Sequence, residues 1–154
     1  MTDIVSKTKR SRMMSNIRQK DTVPERVVRS FLHSEGFRFR IHVRGLPGSP
    51  DLVLRKYNAA VFVHGCFWHR HEGCRLAYNP KSRIDFWNEK FRRNVVRDEA
   101  AQTELLQSGW RVATVWECGL KSNDRRSQSL VLLANWIRSE MTSIEIPAYQ
   151  ATNS

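Results

Sequence analysis

The chain has 154 residues, enough for one domain with a real core and too few for two. Its formal net charge of +11 favours a polyanionic partner, nucleic acid first, over an acidic small molecule. Five tryptophans and a 40% hydrophobic content argue against a disordered basic tail, and no apolar run approaches the length of a membrane span. Three cysteines cannot pair off completely, and the amino-terminal stretch lacks the apolar core of a signal peptide, so a reduced cytoplasmic compartment is expected.

Residues 1–20 carry Lys7, Lys9, Arg10, Arg12, Arg18 and Lys20 with little apolar periodicity, which reads as a flexible basic arm that settles on phosphate. Thr22 with Glu25 forms a capping-box pattern, Pro24 suits a first turn, and Val27, Val28, Phe31 and Leu32 make one helical face; the spacing predicts a helix to about Gly36. In "FRFRIHVRG" Phe37, Phe39, Ile41 and Val43 alternate with basic residues, the period of a half-buried strand. "LPGSP" turns the chain into the strand "DLVL", and "RKYN" turns it again into "AAVFVHG", a central strand. These three strands are expected to form a meander. "SRIDFWNEKFRRNVVRDEAAQTELLQSG" has helical spacing and stops at Gly109; "WRVATVWE" resumes as a strand, and Leu130 to Ile137 belongs to a final helix. The expected class is α/β, a mixed sheet flanked by helices.

Two groups of residues carry chemistry. Cys66, His71 and Cys74 lie close together, and Cys118 follows a strand that can return to the same place; three thiolates and an imidazole suit tetrahedral zinc in a closed, structural site. Buried free cysteines are the bland alternative for each one alone. The second group is Asp51 at a strand start, His64 at the end of the next strand, and His69 just beyond. Phosphodiester hydrolysis needs a carboxylate for a hard cation and a group that manages protons. Individually, Asp51 reads as a turn residue and each histidine as structural or exposed; Glu25 is explained by the capping box alone. Phe67 and Trp68 are adjacent large aromatics, ordinarily core residues.

"PGSPD", "VFVHGCFWHRH", "FWNEK", "NVVRD" and "GWRVATVWEC" occur in the order found in the very-short-patch mismatch repair endonucleases, and the chain resembles that family from residue 8 to residue 140. The resemblance implies a restriction-endonuclease-like fold and magnesium-dependent nicking of one strand, 5′ to the thymine of a T:G mismatch left by deamination of 5-methylcytosine. It implies Asp51 and the Val63 main-chain carbonyl as magnesium ligands, His64 and His69 in the active site, and Glu25 as the acidic partner of His69. Zinc would be held by Cys66, His71, Cys74 and Cys118. Phe67 and Trp68 would intercalate from the major-groove side and Met14 from the minor-groove side. The expected organisation is a DNA-clasping arm over 1–20, an endonuclease domain over 21–140 and a tail over 141–154. The expected partner is double-stranded DNA bearing the mismatch, with other repair proteins possible, bound by a monomer in the bacterial cytoplasm. Two rivals remain at this point: a zinc-stabilised DNA-binding module without chemistry, and a ββα-metal nuclease in which Asn88 or Asn94 would be a metal ligand.

Overall fold

The computed structural model describes residues 21–148. The basic arm of residues 1–20, including Met14, and residues 149–154 lie outside the described residues. Helix α1 (Val23–Ser34) begins where the capping pattern places it: the Thr22 hydroxyl oxygen accepts the Glu25 N–H at 3.3 Å, and the Glu25 carboxylate accepts the Asp21 N–H at 2.9 Å. Val28 and Leu32 are fully buried on its inner face.

Strand β1 (Leu52–Leu54) pairs antiparallel with β2 (Ala59–His64) across a 3₁₀ turn over Arg55–Tyr57 that is closed by Asn58 in the left-handed region. Helix α2 (Ile84–Gln107) then crosses to β3 (Arg111–Trp116), which lies parallel to β2 with His64 opposite Trp116. Ser122 caps α3 (Asn123–Arg138) through the Arg125 N–H, and α3 leads into β4 (Ser143–Ile146), parallel to β3. The sheet order is β1-β2-β3-β4.

Both faces of this sheet are covered, so β2 is apolar from Ala59 to Val63 although its residues still alternate in direction. Val61, Val63, Ala113 and Val115 pack with Val28 and Leu32 of α1 and Leu130, Leu133 and Ile137 of α3. Ala60, Phe62 and Val112 point the other way, against Leu105 of α2. His64 shares the orientation of Phe62 by the two-residue period, which places it on the α2 side.

The expected strand over residues 37–45 does not form. Only an isolated bridge between Arg40 and Val53 remains, so the three-stranded meander reduces to the β1-β2 hairpin. His42 at φ 56°, two residues beyond the bridge, and then Gly45 at φ 93° turn the backbone out of the extended region. Phe37 keeps its place in the core while Ile41 is exposed: the alternation placed the aromatics but could not supply a strand's hydrogen-bond partner. The segment 141–154, read as a tail, contributes β4, and Ile146 is buried with the core. Among the described residues, no helix is long and apolar enough to cross a membrane.

Candidate active site and metal centre

The loop "LPGSP" delivers Asp51 to the sheet edge by passing very close to its neighbours. Gly48 has φ 73°, and a Cβ there would lie 2.7 Å from the Ala101 Cβ of α2 and 3.1 Å from the Phe62 ring, so only glycine fits. Asp51 then accepts the Val63 N–H through Oδ2 at 2.6 Å. Burial pushes its carboxyl up to about 7, against the pull of the Val63 hydrogen bond, and the nearby Glu25 adds to the rise. A carboxyl so placed ionises readily only when positive charge arrives, which suits a hard divalent cation.

His64 ends β2 in a buried position, and its Nδ1 has no hydrogen-bond partner among the described residues. Burial, with the neighbouring His69 second, lowers its pKa to about 3, so the ring is neutral. The His69 ring stacks on it face to face, with centroids 3.8 Å apart and planes 7° from parallel. His69 Nδ1 meets Asp98 Oδ2 at 2.6 Å. Since a carboxylate only accepts, Nδ1 carries the proton, and Nε2 is left as the basic nitrogen.

That pairing corrects one expectation. The acidic partner of His69 is Asp98, whereas the carboxylate of Glu25 is taken up by the Asp21 N–H and by Arg29 at 2.9 Å. Glu25 nonetheless borders the same cavity, of about 600 Å³, with Asp51, His64, His69 and Asp98. Asp98, the last residue of "NVVRD", has no role that the sequence motifs assign. The available signal was helical: Trp87, Phe91, Asn94, Asp98, Ala101 and Leu105 recur at the spacing of one face, and two polar residues interrupt its apolar stripe.

Phe67 and Trp68 are half-buried, and neither belongs to the two core clusters that pack on the sheet. Phe67 packs edge-on to Phe91 and Trp87, with centroids at 5.2 and 5.7 Å, and lies 4.8 Å from Tyr78. Arg70 braces this loop by donating to the carbonyls of Ala77 and Tyr78 at 2.9 and 3.0 Å, with its guanidinium over Phe91. The Asn94 amide donates to the Trp68 carbonyl at 3.0 Å. An asparagine so engaged, on a helix flanking a mixed parallel sheet, does not fit the ββα-metal arrangement.

Cys66, His71, Cys74 and Cys118 converge with all four ligand atoms within 4.8 Å of one another. His71 Nδ1 stands 3.6 Å from the Cys66 sulfur and 3.4 Å from that of Cys118. Tetrahedral zinc with Zn–S of about 2.3 Å and Zn–N of about 2.05 Å requires an S···N edge of about 3.5 Å. The donor set and these edges fit a closed zinc site. Burial raises the Cys66 and Cys118 thiols, which disfavours bare thiolates here and makes a cation the natural counterpart. Trp116 stacks on the His71 ring at 4.3 Å and donates to Glu145 of β4 at 2.8 Å. Glu117, which borders the cavity, accepts the Cys66 N–H at 3.0 Å and so ties the cluster to the Asp51 site.

Residues 2–75 match the family described as DNA mismatch endonuclease Vsr. The chain is 50% identical over 120 residues to the type II nicking enzyme V.XorIIP of Xanthomonas oryzae pv. oryzae, covering 78% of this chain and 88% of that protein. It is 48% identical over 122 residues to the type II nicking enzyme V.NmeAIP of Neisseria meningitidis, covering 79% and 86%. With the DNA mismatch endonuclease Vsr of Escherichia coli it shares 39% identity over 148 residues, covering 95% and 94%. The chain therefore belongs to the DNA mismatch endonuclease Vsr family and is an endodeoxyribonuclease.

Proposed function

We propose that this protein cuts one strand of duplex DNA 5′ to the thymine of a T:G mismatch, on a restriction-endonuclease-like fold, with magnesium as the catalytic ion and zinc as the structural one. The observation that carries the reading is the meeting, in one cavity, of half-buried Asp51 with the His69–Asp98 pair, bordered by the Phe67–Trp68 loop. Names of the relatives, a mismatch endonuclease and nicking enzymes, point the same way. Their bacterial sources support a bacterial cytoplasmic setting, with the protein acting as a monomer on DNA.

Asp51 and the Val63 main-chain carbonyl would hold the magnesium, with Glu25 close enough to influence Asp51. Magnesium, when bound, supplies Lewis-acid neutralisation of the charge that develops on the phosphoryl oxygens. His69 takes the proton from the attacking water at Nε2, because Asp98 holds Nδ1–H and stabilises the imidazolium that results. Neutral His64 supports the His69 ring by stacking and presents N–H, rather than charge, to the scissile phosphate. Water attacks the phosphorus in line, the bond to the 3′ oxygen breaks, and that oxygen takes a proton from solvent, leaving 3′-hydroxyl and 5′-phosphate ends.

Cys66, His71, Cys74 and Cys118 would hold zinc and so fix the loop that presents His64 and His69. Phe67 and Trp68 would enter the base stack from the major-groove side and Met14 from the minor-groove side. A T:G wobble is weakly stacked, so apolar insertion costs less there than at a normal pair, and selectivity follows from deformation. The test is cleavage of end-labelled duplexes that carry T:G or C:G at one position, in magnesium or in EDTA. One nick, in the T strand, only with T:G and only with magnesium is expected. Equal cleavage of the C:G duplex sinks the mismatch reading, and cleavage in EDTA sinks the metal.

A further inference from the structure

The Asp51 cavity is bordered by four carboxyl groups, those of Glu25, Asp51, Asp98 and Glu117. A phosphodiester enters it as an anion and gains negative charge on its non-bridging oxygens as water attacks. Magnesium would neutralise part of that charge, and a fixed positive charge from the protein facing the same group adds to it; imidazoles carry none permanently. Among the described residues bordering this cavity, Arg97 is the single lysine or arginine.

Its placement is specific. Arg97 precedes Asp98 on α2 and donates through Nη2 to the Asn94 side-chain oxygen at 2.7 Å. The same amide donates from its nitrogen to the Trp68 carbonyl at 3.0 Å, and Asn94 is buried. Bonds at both ends fix the orientation of the amide, so the guanidinium is held in register with the aromatic loop. A guanidinium has five donors in a planar fork, and the Asn94 bond engages one of them.

We infer that Arg97 is a phosphate-binding residue of the reaction, donating to the non-bridging oxygens of the scissile phosphodiester, with Asn94 setting its position from Trp68. The inference rests on the active site being the Asp51 cavity. It predicts that the clamp is in place only when the loop is, so a displaced loop leaves the scissile phosphate without its protein-borne cation. The bland alternative is a brace, in which Arg97 does no more than steady Asn94 and the loop.

Single-turnover nicking of a T:G duplex by the full chain separates the two. Arg97→Ala should lose about 10²-fold in rate, the scale of one preorganised donor to a transition-state oxyanion. Binding of the uncleaved duplex in EDTA should weaken by no more than about fivefold, because many phosphate contacts share the affinity. Added guanidinium ion should restore part of the rate to Arg97→Ala, and Arg97→Lys should retain more activity than Arg97→Ala. A brace would respond to neither. A parental rate in Arg97→Ala overturns the inference, and so does a loss that neither guanidinium nor Arg97→Lys relieves. Asp51→Ala, run in parallel, guards the premise: a parental rate there overturns the location of the active site and Arg97 with it.

Discussion

The Cys66, His71, Cys74 and Cys118 cluster and the Asp51 cavity share the loop over residues 64–74, and they differ in what they leave open. In the cluster four donors surround one point, with Trp116 stacked on His71 as a lid. Zinc held by all four would have no position left for substrate, so its role would be to hold the loop. The cavity is the reverse case. Among the described residues Asp51 makes no ion pair and His64 Nδ1 has no hydrogen-bond partner, and space of about 600 Å³ remains. A larger cavity, of about 910 Å³, borders the cluster, but among the described residues its lining holds no comparable set of acid and base groups, so size alone does not locate the chemistry. The contrast teaches that unsatisfied groups mark where substrate and ion belong, while satisfied ones mark what keeps them in place.

Breaking the closed site should have the larger consequence, because it removes both. Cys118→Ala is expected to lose zinc and much of the folded state, since binding energy at a thiolate-rich closed site is folding energy. Elemental analysis and thermal unfolding check this: about one zinc per chain in the parent and none in the variant. Full zinc content and stability in Cys118→Ala would refute the assignment.

Breaking the open site should spare the fold. Asp51→Ala is expected to reduce nicking by about 10³-fold or more while zinc content and mismatch binding persist, because a metal ligand is lost rather than a DNA contact. Next in size, His69→Ala should lower the rate by about 10²-fold or more, as for a positioned general base. Asp98→Asn should slow the reaction less and alter its pH profile, because an amide can fix the wrong tautomer of His69. An unchanged profile would remove Asp98 from the mechanism.

The aromatic loop sharpens the comparison, since it joins the two sites. Phe67→Ala with Trp68→Ala should keep zinc and fold yet lose the preference for T:G over C:G. Unchanged discrimination in a folded variant would sink the wedge, and unfolding would make the pair core residues after all.

The smallest effect concerns pH. The carboxyl of Asp51 titrates near 7 in the metal-free fold, against a reference value of 3.8, because of burial. The folded state therefore holds a proton that the unfolded chain releases, so this contribution to stability is complete below pH 3.8 and is lost as pH rises through about 7. Unfolding with and without magnesium across that window should show magnesium stabilising the protein more at pH 8 than at pH 5. Equal stabilisation at both would place the ion elsewhere.

Much of the fold was legible because it rests on local rules. Thr22, Pro24 and Glu25 announced α1, the stop at Gly109 closed α2, and the apolar run 59–64 was a strand covered on both faces. The segment 37–45 misled because alternation reports which side chains turn inward and says nothing about whether a neighbouring strand is present to take the hydrogen bonds. The short "SIEI" of β4 was missed for the complementary reason: an edge strand of four residues carries little pattern of its own and gains its partner only from β3.

The same division runs through the site. The sequence by itself determined the donor types: three thiols and an imidazole of a closed cluster, an aspartate at a strand start, and two histidines beyond the next strand. Only the tertiary structure decided the partners. Asp98 lies 29 residues from His69, and Asn94 lies 26 from Trp68. Hydrogen bonds of such long sequence separation are made by docking α2 on the sheet face that His64 and Phe62 present. Which carboxylate reaches His69 depends on the rotation of that helix about its axis, which is set by Phe91, Ala101 and Leu105 packing as a stripe. Spacing in a sequence reveals the stripe; the face it meets is fixed by the fold.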